Sequence, residues 1–162
     1  MSTSNGSLSA AENVVVNGVA EYYWQNDGMP HDRGRVIGWL IISDPPRQST
    51  KELQDRLGVD REAIDRVADQ LVPANVILRE EGADGEYYLS MTDDSWPNAV
   101  RHVFANFPEF HDILRYGLEV LSDAPGERRE RTIRLERLFG FLAAEIPALL
   151  DRYERQTAAT AS

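Results

Sequence analysis

Cysteine is absent from the 162 residues, which excludes a disulfide scaffold, a zinc ribbon and a thiol nucleophile. Lysine is nearly absent too, with Lys51 alone beside 16 arginines. Hydrophobic runs are short. No uninterrupted apolar stretch exceeds four residues, as at Trp39–Ile42, far below the roughly 20 that a membrane helix needs. The opening Met-Ser-Thr-Ser-Asn-Gly-Ser has no basic region ahead of an apolar core, so no secretory signal and a cytoplasmic location are expected. Positive charge is the last shortage: 17 Lys and Arg face 27 Asp and Glu, a formal net charge of −10. That balance opposes a sequence-blind nucleic-acid binder, because phosphates must be met with cations, and equally opposes docking on an anionic membrane.

Catalytic patterns are missing as well. No GxGxxG, P-loop, HExxH or GxSxG sequence occurs. His102 and His111, read as one helix, fall about half a turn out of phase, so they do not chelate one ion. His111-Asp112 with Arg115 reads as a solvated ion-pair cluster, and Asp65, Arg66 and Asp69 as surface pairs at helical spacing. Neither an enzyme nor a cofactor or metal site is expected.

What remains is an ordinary globular composition, 42% apolar and 27% charged. At this length a chain buries roughly 70% of its unfolded surface, enough for a core without staples. Residues 1–8 read as a disordered tail. Ser9-Ala-Ala-Glu12 is a capping box opening a helix over 9–27, with Val15, Val16, Val19, Tyr22 and Tyr23 as its apolar stripe. A second helix from about Pro30 carries Val36, Ile37, Trp39, Leu40 and Ile41, and Asp44-Pro45-Pro46 closes it. Ser49-Thr50-Lys51-Glu52 opens a short helix with Leu53 and Leu57 inside. Asp60 caps the next, whose buried stripe is Ile64, Val67, Ala68 and Leu71. The three-residue step Gly58-Val59-Asp60 between them is helix-turn-helix spacing.

The period then changes. Residues 76–80 and 86–90 read as strands around Gly82-Ala83-Asp84-Gly85, a hairpin directly after the helix-turn-helix and therefore a wing. Helical patterns return from about Ser95 and again from Pro108, and a last long helix runs from about Glu127 to Gln156 with Pro147 inside it. Residues 157–162 read as a second tail. The fold class is mainly α: a winged helix-turn-helix over 28–92, flanked by the first helix and by closing helices over 93–156. The last helix carries Ile133, Leu135, Leu138, Phe139, Phe141, Leu142, Ile146, Leu149, Leu150 and Tyr153, too wide an apolar surface for one small domain to cover, which points to a dimer.

Several motifs in order carry a resemblance. Gly28-Met29-Pro30, Gly34-Arg35-Val36-Ile37-Gly38-Trp39-Leu40, Asp44-Pro45-Pro46, Ser49-Thr50-Lys51-Glu52-Leu53 and the hairpin's Tyr87-Tyr88 resemble the GbsR-like branch of the MarR-type winged-helix transcription regulators. The stretch from Phe104 to Leu121, the Ala124-Pro125-Gly126-Glu127-Arg128-Arg129 loop and Leu138 to Tyr153 look like that family's closing helices. The resemblance covers about residues 12–155. It implies a homodimer with interleaved first and last helices, presenting two winged helices to a two-fold DNA site.

On that reading the DNA-facing residues are Arg47, Ser49, Lys51, Arg56, Arg61, Glu62, Asp65, Arg66, Asp69 and Arg79, with Arg61 and Arg66 each able to read a guanine edge. From Asp60 to Glu86, however, three Arg face eight acids, a net of −5 on the surface meant for DNA. Two readings follow. One is a dimeric, sequence-specific regulator; the other is a winged-helix relative that has lost DNA binding and offers its acids to a basic protein partner. A small-molecule effector is compatible with either, in an aromatic crevice lined by Tyr22, Tyr23, Trp24, Trp39 and Trp96.

Overall fold

The structure is a computed structural model that describes residues 7–83, 85–92, 95–123 and 125–160. Of the expected tails, residues 1–6 and 161–162 lie outside the described residues, as does Asp84 of the hairpin turn, whereas Leu8 is buried and 157–160 continue the last helix. The order is α1 (Ala10–Asp27), α2 (His31–Ile42), β1 (Gln48–Ser49), α3 (Thr50–Leu57), α4 (Arg61–Leu71), β2 (Ile77–Glu81), β3 (Tyr87–Met91), α5 (Ser95–Phe104), α6 (Phe107–Val120) and α7 (Gly126–Thr160). The chain divides into two compact units, one ending at Asn98 and the other beginning at Ala99.

In the first unit α1 opens on the expected capping box: Ser9 Oγ accepts from the Glu12 amide at 3.3 Å, and Glu12 accepts from the Ser9 amide at 2.7 Å. Helix α2 lies unusually close to α1, because two glycines face it one turn apart. A Cβ on Gly34 would sit 2.6 Å from Ala20 Cα, and one on Gly38 would sit 3.0 Å from Val16 Cα. The sequence predicts a wider apolar stripe on α1 than the structure buries. Val16 and Ala20 are buried, while Val15 and Tyr22 are exposed, since the glycine contact draws in only the residues directly beneath it.

Helix α3 carries the second capping box, with the Glu52 amide donating to Ser49 Oγ at 3.1 Å. Gly58 ends it at φ 65°, a left-handed conformation that glycine adopts without Cβ strain. Asp60 then accepts from the Ala63 amide at 2.8 Å and starts α4. Leu53, Leu57, Ile64, Val67 and Ala68 are buried as the periodicity predicts; Leu71 is only half-buried.

The sheet is antiparallel throughout, in the order β1-β3-β2, with Gln48 opposite Leu89, Ser49 opposite Tyr88, Glu80 opposite Tyr88 and Glu81 opposite Tyr87. β1 is too short to show a period, and sequence reasoning missed it. Consecutive strand residues point to opposite faces, so the two tyrosines differ in role: Tyr87 is buried, whereas Tyr88 is half-buried. Trp39, Leu53, Ile64, Ile77, Tyr87 and Leu89 are the largest side chains of this core.

The second unit holds α6, α7 and the end of α5. Phe107, Phe110 and Phe139 form a ring cluster with centroids 4.9 and 4.6 Å apart around Phe139. His102 and His111 lie on separate helices, α5 and α6, and not on one helix as the sequence reading had it, because a turn at 105–106 interrupts the helix before Phe107. His111 Nε2 meets Glu136 Oε1 of α7 at 2.9 Å, so its partner is neither Asp112 nor Arg115. Helix α7 runs through Pro147 and past the expected end at Gln156. Thr157 bonds back to the Tyr153 carbonyl at 3.2 Å, and the alanines behind it favour helix. Helix α6 has no buried residue, and Leu150 is the one described side chain buried on α7.

Candidate nucleic-acid interface

The interface expected from the sequence is α4 with the β2–β3 hairpin, and Arg61 ties the two together. Its guanidinium donates to Asp65 Oδ1 at 2.8 Å, to the Gly85 carbonyl at 3.0 Å and to Thr50 Oγ1 at 3.4 Å, and lies 4.6 Å from the Tyr87 ring. Arg61 thus acts as a strut between α3, α4 and the hairpin, with its donors turned inward. Tyr87 completes the lock by donating its hydroxyl to Asp65 Oδ1 at 2.6 Å. Burial pushes the Tyr87 hydroxyl up, and the bond to Asp65 adds to that shift. Burial would also raise the Asp65 carboxyl, but the hydrogen bonds from Tyr87 and Arg61 outweigh it, so Asp65 is held below the usual carboxylate range.

Glu86 fastens the hairpin base from the other side. It accepts from Thr50 Oγ1 and from the Lys51 amide at 3.1 Å. Sequence reasoning missed Thr50, Gly85 and Glu86 as positioning residues; their only signal was proximity to the expected turn and cap.

The other expected cations are also engaged within the chain. Arg47 donates to Glu80 Oε2 at 2.6 Å and lies 3.5 Å above the Tyr88 ring. Lys51 meets Asp55 at 2.6 Å, and Arg79 meets Glu81 at 2.7 Å while lying 3.9 Å from the Tyr87 ring. Arg66 Nε donates to Glu62 Oε1 at 3.0 Å, one helical turn back. Arg56 stands 4.8 Å over the Trp39 ring. The carboxylate bonds raise the basicity of Arg47 beside Glu80, Lys51 beside Asp55 and Arg66 beside Glu62. Ser49 is occupied as the α3 cap. The solvent-facing stripe of α4 is Glu62, Arg66 and Asp69.

The five aromatic residues do not share one environment. Trp39 is a core residue, 1% exposed, with its indole N–H donated to Gln48 Oε1 at 2.9 Å. Tyr22 stacks edge-on with Tyr23 at 5.4 Å, Trp24 stands against His31 at 5.2 Å, and Trp96 is exposed. Burial of Trp39 removes it from any open crevice.

Known proteins match this arrangement. The family model described as "MmpR5-like MarR family transcriptional regulator" matches residues 94–156. The HTH-type transcriptional regulator MmpR5 of Mycobacterium tuberculosis is 28% identical over 136 residues, covering 83% of this chain and 82% of that protein. A crystal structure described as a transcriptional regulator superposes with a TM-score of 0.75 at 26% identity, over 90% of this chain and 99% of that one. The chain is similar to MarR-type transcription regulators and shares their winged-helix fold. MarR-type relatives are regulators and not enzymes, and the expectation of no catalytic activity rests on that likeness. The family model covers the closing helices, whereas the motifs that carry the resemblance concentrate in 28–90, so the two lines of likeness are complementary. Among the described residues, no helix is long and apolar enough to cross a membrane.

Proposed function

We propose that two copies of the chain pair through their first and last helices and bind a two-fold DNA site in the cytoplasm, each setting α4 in a major groove and the hairpin on the flanking backbone. The observation that carries this reading is the Arg61–Asp65–Tyr87 lock, which fixes the hairpin beside the exposed Glu62–Arg66–Asp69 stripe. A reader of DNA needs that fixed spacing between helix and wing. Arg66 is the residue placed to reach a base edge, and Glu62 or Asp69 can accept from a cytosine amino group. Pairing of two chains is supported by α6 and α7, which leave Ile113, Tyr116, Leu138, Phe141 and Tyr153 half exposed or more. Within the family, the motif order from Gly28 to Tyr88 supports the GbsR-like branch. A small-molecule effector is compatible with this reading, with Tyr22, Trp24 and Trp96 exposed to meet it and Trp39 held in the core.

A second reading, docking of a basic protein surface on the acids of α4 and the hairpin, is favoured by the net charge of −5 from Asp60 to Glu86 and by the carboxylates already seated on the cations. Titration of a labelled duplex from upstream of the chain's own coding sequence separates the two. Binding that weakens as salt rises supports the regulator. No binding even at low salt sinks it and leaves the protein-docking reading.

A further inference from the structure

We propose that Glu80 is a built-in occupant of a phosphate seat on the wing, and that the DNA backbone binds there by displacing it. The inference rests on the DNA-binding reading above. The seat spans the sheet: Arg47 precedes β1, Tyr88 is on β3 and Glu80 is on β2, directly opposite Tyr88 in the ladder. Arg47 lies 3.5 Å over the Tyr88 ring, a cation–π contact that leaves its N–H edge able to pair with an anion. Glu80 takes that edge at 2.6 Å from Nε.

Stack and carboxylate are separable. The ring holds Arg47 in place whichever anion sits at its edge. The ion pair is open to water, with Arg47 48% and Glu80 56% exposed, and exposed pairs of this kind are weak. A phosphate can therefore replace the carboxylate without dismantling the stack. Arg79 with Glu81 is the alternative seat, but Arg79 stacks on the buried Tyr87 and not on the half-buried Tyr88, which leaves Arg47 as the cation better placed for a ligand from solvent. The exchange is self-limiting: the displaced Glu80 keeps its charge beside the incoming phosphate. The wing acids then act as a brake on non-specific binding, leaving the contacts of α4 to decide which DNA is held.

The test is a double-mutant cycle on the full chain, read by fluorescence anisotropy with a labelled duplex of random sequence, about 30 base pairs long, at about 50 to 200 mM salt. The four proteins are wild type, Glu80→Gln, Arg47→Met and the double variant. Glu80→Gln is expected to tighten binding about fivefold at the lowest salt. It should also steepen the log–log salt dependence by up to about 0.9 per freed arginine. In the Arg47→Met background the same change should give less than about a twofold gain. Equal gains in both backgrounds would mean general charge repulsion, overturning the seat while leaving DNA binding intact. Absence of binding in all four proteins would overturn both.

Discussion

The two units reach stability by different routes. Up to Asn98, helices and sheet close over a dense core in which Trp39, Leu53, Ile64, Tyr87 and Leu89 are all but inaccessible. From Ala99 onward, three helices bury Leu150 and leave a row of apolar side chains facing water. A helix gains its stability in a protein mostly by burying an amphipathic face. The first unit does this within one chain, whereas the second leaves much of its apolar face uncovered. On the proposed reading that division is useful: the winged helix holds its own shape, and the uncovered helices are available for a second copy.

The largest expected effect breaks the comparison at the first core. Leu53→Ala should destabilise the chain by about 2–5 kcal/mol in chemical denaturation, because a fully buried leucine leaves a cavity. Leu138→Ala, half exposed on α7, should cost little at low protein concentration and act instead on association. Next comes Gly34→Ala. Its new methyl would meet the α1 backbone at 2.6 Å, and the overpacking should cost about 1–3 kcal/mol. An unchanged denaturation midpoint would mean that α1 and α2 sit further apart.

Tyr87→Phe is smaller, about 1 kcal/mol, since it removes one hydrogen bond to a charged carboxylate while keeping the ring in the core. Loosening of the hairpin should appear as faster amide exchange in β3. The smallest effect is one of pH. Asp65 is held below its ordinary value in the folded chain, so its contribution is present above the unfolded value of about 4 and is lost as pH falls through the lower folded value. Asp65→Asn should therefore flatten the acid limb of the stability profile. An acid limb identical to wild type would show that the Arg61–Asp65–Tyr87 lock adds nothing to stability.

Legibility in the sequence followed the same division. The capping boxes at Ser9 and Ser49, the turn at Gly58 and the stripe Ile64, Val67 and Ala68 were readable because each depends on residues at most four apart. The motif Gly34…Gly38 was visible as a pattern, but its reason, close approach of α1, required the partner helix. The site was legible in composition and not in wiring. Arg47, Arg61 and Arg79 could be named, yet their partners Glu80, Glu86 and Tyr87 lie between 8 and 33 positions away, across strands whose one-residue register decides which face each side chain joins. The same limit hid β1 and placed His102 with His111 on one helix.

The most direct test of a paired regulator is the mass of its DNA complex. Light scattering on a chromatographed mixture of the chain with the duplex that binds it should give two chains per duplex, and Leu138→Asp with Phe141→Asp should abolish that species while leaving the first unit folded. A complex holding one chain per duplex, or a chain that remains single at every concentration and passes the DNA unbound, would contradict it.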